Sequence, residues 1–210
     1  NKNYDAEKLI AYEAGFRSSP HKRFFYDVTG FYNVYDDVNS TDPMATGLET
    51  TPAPPHILIP FSFNNSVHGE AYGGEVATTL QPHDRLSIKG TYSLLRMQLT
   101  NDVPSASDTA LQEDRIPQHM ATISPTVFVT KNIETGGTWR YVDELRNFNI
   151  QSYNTIDAYI TWKPTKNLSF SLVGLNLTEP HHSEMPVQFI LLETTEVERS
   201  YYAQVKWFYQ

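Results

Sequence analysis

Few side chains in this chain sit close enough in sequence to do chemistry together. The densest group is His181-His182-Ser183-Glu184-Met185, which offers nitrogen, oxygen and thioether donors in one run. Such a mixed donor set suits a transition metal. A polar loop start that binds nothing is the simpler reading, so no metal is assigned, and His181, His182 and Glu184 stand only as candidate donors. A second group is Arg96, Arg115, Arg140 and Arg146, each near the end of an extended segment. They would steer an anionic ligand toward a positively charged mouth. The favoured alternative pairs them with Asp114, Asp143 and Glu144 as wall-lining ion pairs. Arg96, Arg115, Arg140, His181 and His182 are the ligand-binding candidates. Glu193, Glu196 and Glu198 read as a solvated loop.

Catalysis finds no footing. Asp36-Asp37 and Asp143-Glu144 invite a general acid/base reading, but neighbours on a strand point to opposite faces. Neither a phosphate-binding glycine loop nor a nucleophile elbow is present. A barrel esterase or protease is therefore set aside, and no enzyme activity or cofactor is expected.

The elements that must position these residues follow from composition and periodicity. The chain has 210 residues, 16 Lys and Arg against 24 Asp and Glu, a net charge of -8, no cysteine, and 13 Tyr, 11 Phe and 3 Trp. Without cysteine there are no disulfides, thiol chemistry or thiolate metal sites. The acidic balance leaves no basic stripe for nucleic acid. Apolar runs are a few residues long, far short of a membrane-spanning helix, and no segment reads as an export signal.

Alternation dominates instead. Ile10, Tyr12, Ala14 and Phe16 share one parity. So do Phe24, Tyr26, Val28, Tyr32 and Val34, then Leu86, Ile88, Tyr92 and Leu94. Ile156, Ile160 and Trp162 repeat the pattern, as do Tyr201, Ala203, Val205, Trp207 and Tyr209. Only strands divide alternate residues between two faces. About nine such segments are predicted, at 6–18, 23–37, 66–80, 85–100, 115–130, 136–146, 152–163, 167–178 and 197–209. Most exceed the length usual in soluble sandwiches and match what a tilted strand needs to cross a bilayer. Aromatics near the segment ends suit interfacial girdles.

The predicted connections alternate between short (18–22, 81–84, 131–135, 164–166) and longer (38–65, 101–114, 179–196), with 147–151 intermediate. Outer-membrane barrels sort their periplasmic turns from their extracellular loops in this way. The expected fold class is therefore all-β, an antiparallel transmembrane β-barrel segment. An odd strand number leaves open edges, which lipid does not tolerate. The expectation is thus a part of a barrel, one that aggregates if isolated in water.

Ordered local strings give this reading a family. Tyr12-Glu13-Ala14-Gly15-Phe16-Arg17, Phe31-Tyr32-Asn33-Val34-Tyr35-Asp36-Asp37, Gly69-Glu70-Ala71-Tyr72-Gly73-Gly74-Glu75 and Tyr92-Ser93-Leu94-Leu95 come first. Pro117-Gln118-His119, Trp139-Arg140-Tyr141-Val142-Asp143, Gly174-Leu175-Asn176-Leu177 and Val205-Lys206-Trp207 follow. In order and spacing they resemble the C-terminal barrel of bacterial TonB-dependent receptors. The ending departs from the family's terminal aromatic, since Tyr209 is followed by Gln210. The resemblance implies that residues 1–210 are the C-terminal part of a barrel of about 22 strands, with the plug domain outside this chain. It further implies outer-membrane uptake of a scarce nutrient, most readily a ferric siderophore. The implied partners are that ligand, membrane lipid and lipopolysaccharide, and the TonB complex acting through the plug. A passive porin or structural barrel is the alternative, followed by a soluble all-β binding domain.

Overall fold

Alternating segments become strands, and each pairs with the next in line. The computed structural model describes residues 4–103, 109–184 and 196–209. Its strands are β1 (Lys8–His21), β2 (Phe24–Pro43), β3 (Gly47–Glu49), β4 (His56–Leu58), β5 (Phe61–His83), β6 (Leu86–Asn101) and β7 (His119–Phe128). They continue with β8 (Ile133–Val142), β9 (Tyr153–Thr165), β10 (Leu168–Leu175), β11 (His181–Ser183), β12 (Glu196–Glu198) and β13 (Ser200–Trp207). Nine of them form one sheet in the order β1-β2-β5-β6-β7-β8-β9-β10-β13, with β1 and β13 as its edges. The pairings from β6 through β13 are antiparallel. The expected nine-strand meander is therefore present.

The connections sort as the sequence predicts. Turns at 22–23, 84–85, 129–132 and 166–167 are short. The intervening connections are long enough to carry structure of their own: the hairpins β3–β4 and β11–β12, a helix α1 (Thr109–Glu113) and a 3-10 turn at Arg146–Phe148. Several boundaries differ from expectation, among them the starts of β5 at Phe61 rather than 66 and of β7 at His119 rather than 115. Strand β8 begins at Ile133 rather than 136, because Gly136 and Gly137 lie within the strand instead of opening it. A Cβ on Gly136 would lie 2.7 Å from the Pro125 carbonyl oxygen and 2.9 Å from the Tyr159 ring, so these fill the space a side chain would take. Strand β2 runs on to Pro43, past the predicted end at 37.

The chain divides into two compact units. The first comprises Asn1–Glu13, Phe31–Tyr72 and Arg96–Glu113, and the second Ala14–Gly30, Gly73–Leu95 and Asp114–Gln210.

In the second unit the register makes both faces explicit. Ile123 faces Trp139, and Trp139 faces Ile156, while Thr122 faces Arg140, and Arg140 faces Thr155. The apolar face lies bare: Leu172 and Val205 are each 62% exposed and Trp207 76%. On the other face polar side chains bond strand to strand. Thr91 Oγ1 and Thr122 Oγ1 are 2.6 Å apart, Ser124 Oγ and Thr138 Oγ1 2.9 Å, and Thr161 Oγ1 and Ser171 Oγ 2.8 Å. A sheet that bonds its polar groups to one another and exposes its large apolar ones is built for an apolar solvent.

In the first unit β2 turns over. Tyr32 and Val34 are exposed, but further along the same parity Ser40 and Asp42 are buried. Between them Asp37 adopts a left-handed conformation, φ 55°. This is the backbone setting of a bulge, which reassigns the faces beyond it. Asp tolerates that conformation better than most residues. Asn65 holds the site by donating from Nδ2 to the Asp37 carbonyl at 2.6 Å, and Lys8 pairs with the Asp37 carboxylate. The reoriented residues bond polar groups of β5, and one of these bonds β6 in turn. Asn64 Nδ2 donates to Asp42 Oδ2 at 2.5 Å, and Ser66 Oγ bonds Ser40 Oγ at 2.7 Å and Asn101 Oδ1 at 2.9 Å.

Candidate functional site

Arg140 owes its position to β8, whose alternation sends it to the polar face between Thr122 and Thr155. It borders a hollow of about 370 Å³ whose lining mixes Glu75, Thr91 and Thr122 with Tyr92, Met120 and Val142. The guanidinium is loosely engaged: Nη1 reaches Thr155 Oγ1 at 3.4 Å and Nη2 lies 3.9 Å from Asp157 Oδ2. Five donors are far from saturated by two such contacts. A cation beside hydroxyls and one carboxylate can hold an anionic or polyhydroxylated group.

The other arginines are served separately. Arg146 Nε donates to Glu144 Oε1 at 2.6 Å, and that carboxylate pushes the guanidinium pKa further up. Of the expected acidic partners, only Glu144 takes an arginine. Asp114 accepts the Asn147 backbone N–H at 2.5 Å, and Asp143 accepts the Tyr141 hydroxyl at 3.0 Å. Arg115 is exposed in the second unit and Arg96 in the first, and neither makes an ion pair among the described residues.

His181 and His182 sit on β11, not in open loop, and as strand neighbours they are sent to different surroundings. His181 is exposed, with Nδ1 2.9 Å from Glu196 Oε2. His182 is buried, its ring 4.3 Å from that of Tyr153, with Nε2 2.9 Å from Glu184 Oε1 and Nδ1 3.2 Å from Asn176 Nδ2. The amide can only donate, so Nδ1 accepts and Nε2 carries the proton given to Glu184. The two imidazoles thus serve separate carboxylates. Among the described residues no three His, Cys, Asp or Glu side chains are grouped to hold a metal ion. Met185 and Glu193 lie outside the described residues. Glu196 and Glu198 lie on β12 and pair with Ser183 and His181, which corrects the expectation of a loop.

Asn176 ties this corner together, and the reading of chemistry-bearing residues passed over it. It is 3% exposed, with φ 51°, and its Nδ2 also donates to the Val197 carbonyl at 3.1 Å. Its backbone N–H goes to Asp157 Oδ1 at 2.9 Å, and its carbonyl accepts from Arg199 Nε at 3.3 Å. An Asn directly after an apolar strand is the signal that would have found it, since Asn enters the left-handed region readily.

Comparison with known proteins agrees with this architecture. The family described as TonB dependent receptor-like, beta-barrel matches residues 1–177. No curated protein matches the chain. Among solved structures, the ferric yersiniabactin uptake receptor of Yersinia pestis superposes with a TM-score of 0.70 at 16% identity, over 97% of this chain and 30% of its own. The FrpB iron transporter of Neisseria meningitidis gives 0.70 at 18%, over 97% and 32%. A copper transporter, OprC, gives 0.69 at 15%, over 98% and 32%. The chain thus spans about a third of the length of these structures. It belongs to the TonB-dependent receptor-like β-barrel family.

Proposed function

We propose that this chain is the C-terminal barrel portion of an outer-membrane receptor that imports a scarce nutrient, most readily a ferric siderophore. The observation that carries the reading is the family match on a nine-stranded sheet with a bare apolar face and a bonded polar one. The apolar face meets lipid and the polar face lines the lumen. Solved structures of the same fold include receptors for ferric yersiniabactin and ferric enterobactin. They also include a copper transporter, so a metal-bearing cargo is common to these named relatives. Long connections such as 44–60 and 176–199 are extracellular, and the short turns are periplasmic. Energy comes from the TonB complex through a plug that occupies the lumen.

Arg140 is the residue this reading assigns to the ligand or the plug, because it is the loosely held cation of a lumenal hollow. Arg96, Arg115, His181 and His182 remain extracellular contact candidates, with His182 the least available because of its burial. The test is uptake of labelled ferric siderophore by cells bearing the intact receptor gene, with and without a functional TonB system. Uptake that needs both the gene and TonB is the expected result. Loss of the gene with no change in uptake of any ferric siderophore or metal complex would overturn the cargo class. Uptake that persists without TonB would point to a passive pore.

A further inference from the structure

The short turns carry a charge pattern that nutrient import does not call for. Take the four turns, the residues within three positions of them, and the end of β13 that pairs beside the last. Within these bounds lie Lys22, Arg23 and Arg85 from the first two turns and Lys131, Lys163, Lys166 and Lys206 from the others. That is seven of the chain's 16 Lys and Arg, against two of its 24 Asp and Glu, Asp84 and Glu134. Both acids are spoken for: Arg23 Nη2 lies 2.6 Å from Asp84 Oδ1, and Lys163 Nζ 2.8 Å from Glu134 Oε2. The rim therefore carries an excess of about five positive charges in a chain whose net charge is -8. Lys22, Arg85, Lys131, Lys166 and Lys206 are exposed and make no ion pair among the described residues.

The height of these cations is set by their neighbours. On the apolar face of the strands that flank the last turn, and of β13 beside them, are Trp162, Phe170 and Trp207, with Trp162 stacked on Phe170 at 5.6 Å. Such aromatics settle at the headgroup level of a bilayer. Beside them the apolar face has a groove of about 290 Å³ whose lining includes Ile160, Trp162, Phe170, Leu172, Ala203 and Val205, on β13 and the strands that the Lys166 turn joins, whereas Lys206, paired with Ser169, faces the polar side.

We infer that this rim binds anionic phospholipid of the adjoining leaflet, its lysines contacting the headgroup phosphate while an acyl chain lies in the groove over Ala203. Charge complementarity selects the lipid, because an array of cations at headgroup height attracts anionic headgroups and is indifferent to zwitterionic ones. The inference rests on the membrane-spanning reading of the chain and on no assumption about cargo.

The experiment uses the full receptor in mild detergent, titrated with phosphatidylglycerol or phosphatidylcholine and examined by native mass spectrometry. Phosphatidylglycerol should be retained several-fold better. Each lysine contributes about fivefold, so K131Q/K166Q should lower that retention by about tenfold or more. A203W, which fills the groove and leaves every charge in place, should lower retention of both lipids. Equal retention of the two lipids by the unaltered receptor overturns the inference without any variant, so a variant that fails to fold leaves it testable. Displacement by inorganic phosphate at the headgroup concentration also overturns it, by making the rim a site for soluble anions. A receptor that does not insert into bilayers at all would defeat the membrane reading itself, a different outcome.

Discussion

In the second unit, His21 Nδ1 accepts the Arg23 N–H at 3.2 Å and His83 Nδ1 accepts the Arg85 N–H at 3.1 Å. Thr130 Oγ1 does the same for Asn132 at 3.2 Å, and Thr165 Oγ1 for Asn167 at 3.4 Å. Each short turn is closed by a side chain two residues away, in water, and each is independent of the others. In the first unit, a set of bonds drawn from three strands joins Asn64 to Asp42 and Ser66 to both Ser40 and Asn101, with Ser40 and Asp42 buried. No member of it is a sequence neighbour of its partner. Charge divides along the same line. The first unit's segments hold three Lys and Arg against eleven Asp and Glu, so they carry the whole net charge of -8, and the second unit is balanced at thirteen each. Local closure tolerates loss because water replaces what is removed. A buried network does not, because a stranded group keeps its full desolvation cost.

The largest effect expected tests the height of the short-turn rim. Leu172 lies near the middle of β10 on the bare face, whereas Leu168 opens that strand right after the last turn. A lysine at the bilayer midplane costs about 2–4 kcal/mol, and one at the interface about 0–1. Leu172→Lys should therefore destabilise the full receptor by that larger amount and Leu168→Lys hardly at all, read by urea titration of folding into liposomes. Equal costs would show that the short turns do not mark the interface.

Ser66→Val comes next, at about 1–3 kcal/mol, because it removes the link between Ser40 and Asn101 and takes a partner from the buried Ser40 hydroxyl. Thr165→Ala removes a turn closure of the same nominal kind and should cost about 0.5–1 kcal/mol. If the two substitutions cost the same in chemical denaturation, the distinction between local and networked closure fails.

This contrast also explains what could be read from the sequence. The parities of β6, β9 and β13, the nine-strand count and the sorting of connections were all legible, because each is local or periodic. So, with more care, were the turns: Pro20-His21-Lys22-Arg23 is echoed by Pro82-His83-Asp84-Arg85, and Thr130-Lys131-Asn132 by Thr165-Lys166-Asn167. The facing of Ser40 and Asp42 was not. A left-handed residue at Asp37 breaks the period without leaving a period of its own. The Gly136-Gly137 pair misled for a related reason, since the space a side chain would need is taken by Pro125 and Tyr159 at Gly136 and by Asp157 at Gly137, all remote in the chain. For the candidate site, the register of β8 sets Arg140 between Thr122 and Thr155 on the polar face. The separation of His181 from His182 depended on a three-residue strand whose partner lies beyond a long connection. No local pattern announces such a strand.

The smallest effect expected is the most informative about the rim. Lys163 and Glu134 form an ion pair whose side chains are 49% and 23% exposed. Pairs this open contribute about 0–1 kcal/mol, because solvent screens the attraction and two long side chains lose freedom in making it. A double-mutant cycle of Lys163→Gln and Glu134→Gln should therefore return a coupling of no more than about 0.5 kcal/mol in the folding equilibrium. The rim cations would then owe little of their presence to stability, and their excess over acidic partners would need a ligand to explain it. A coupling well above 1 kcal/mol would instead make the pair a structural clamp between β8 and β9. The short-turn end would then be held together, like the first unit, by contacts between strands rather than by the turns themselves.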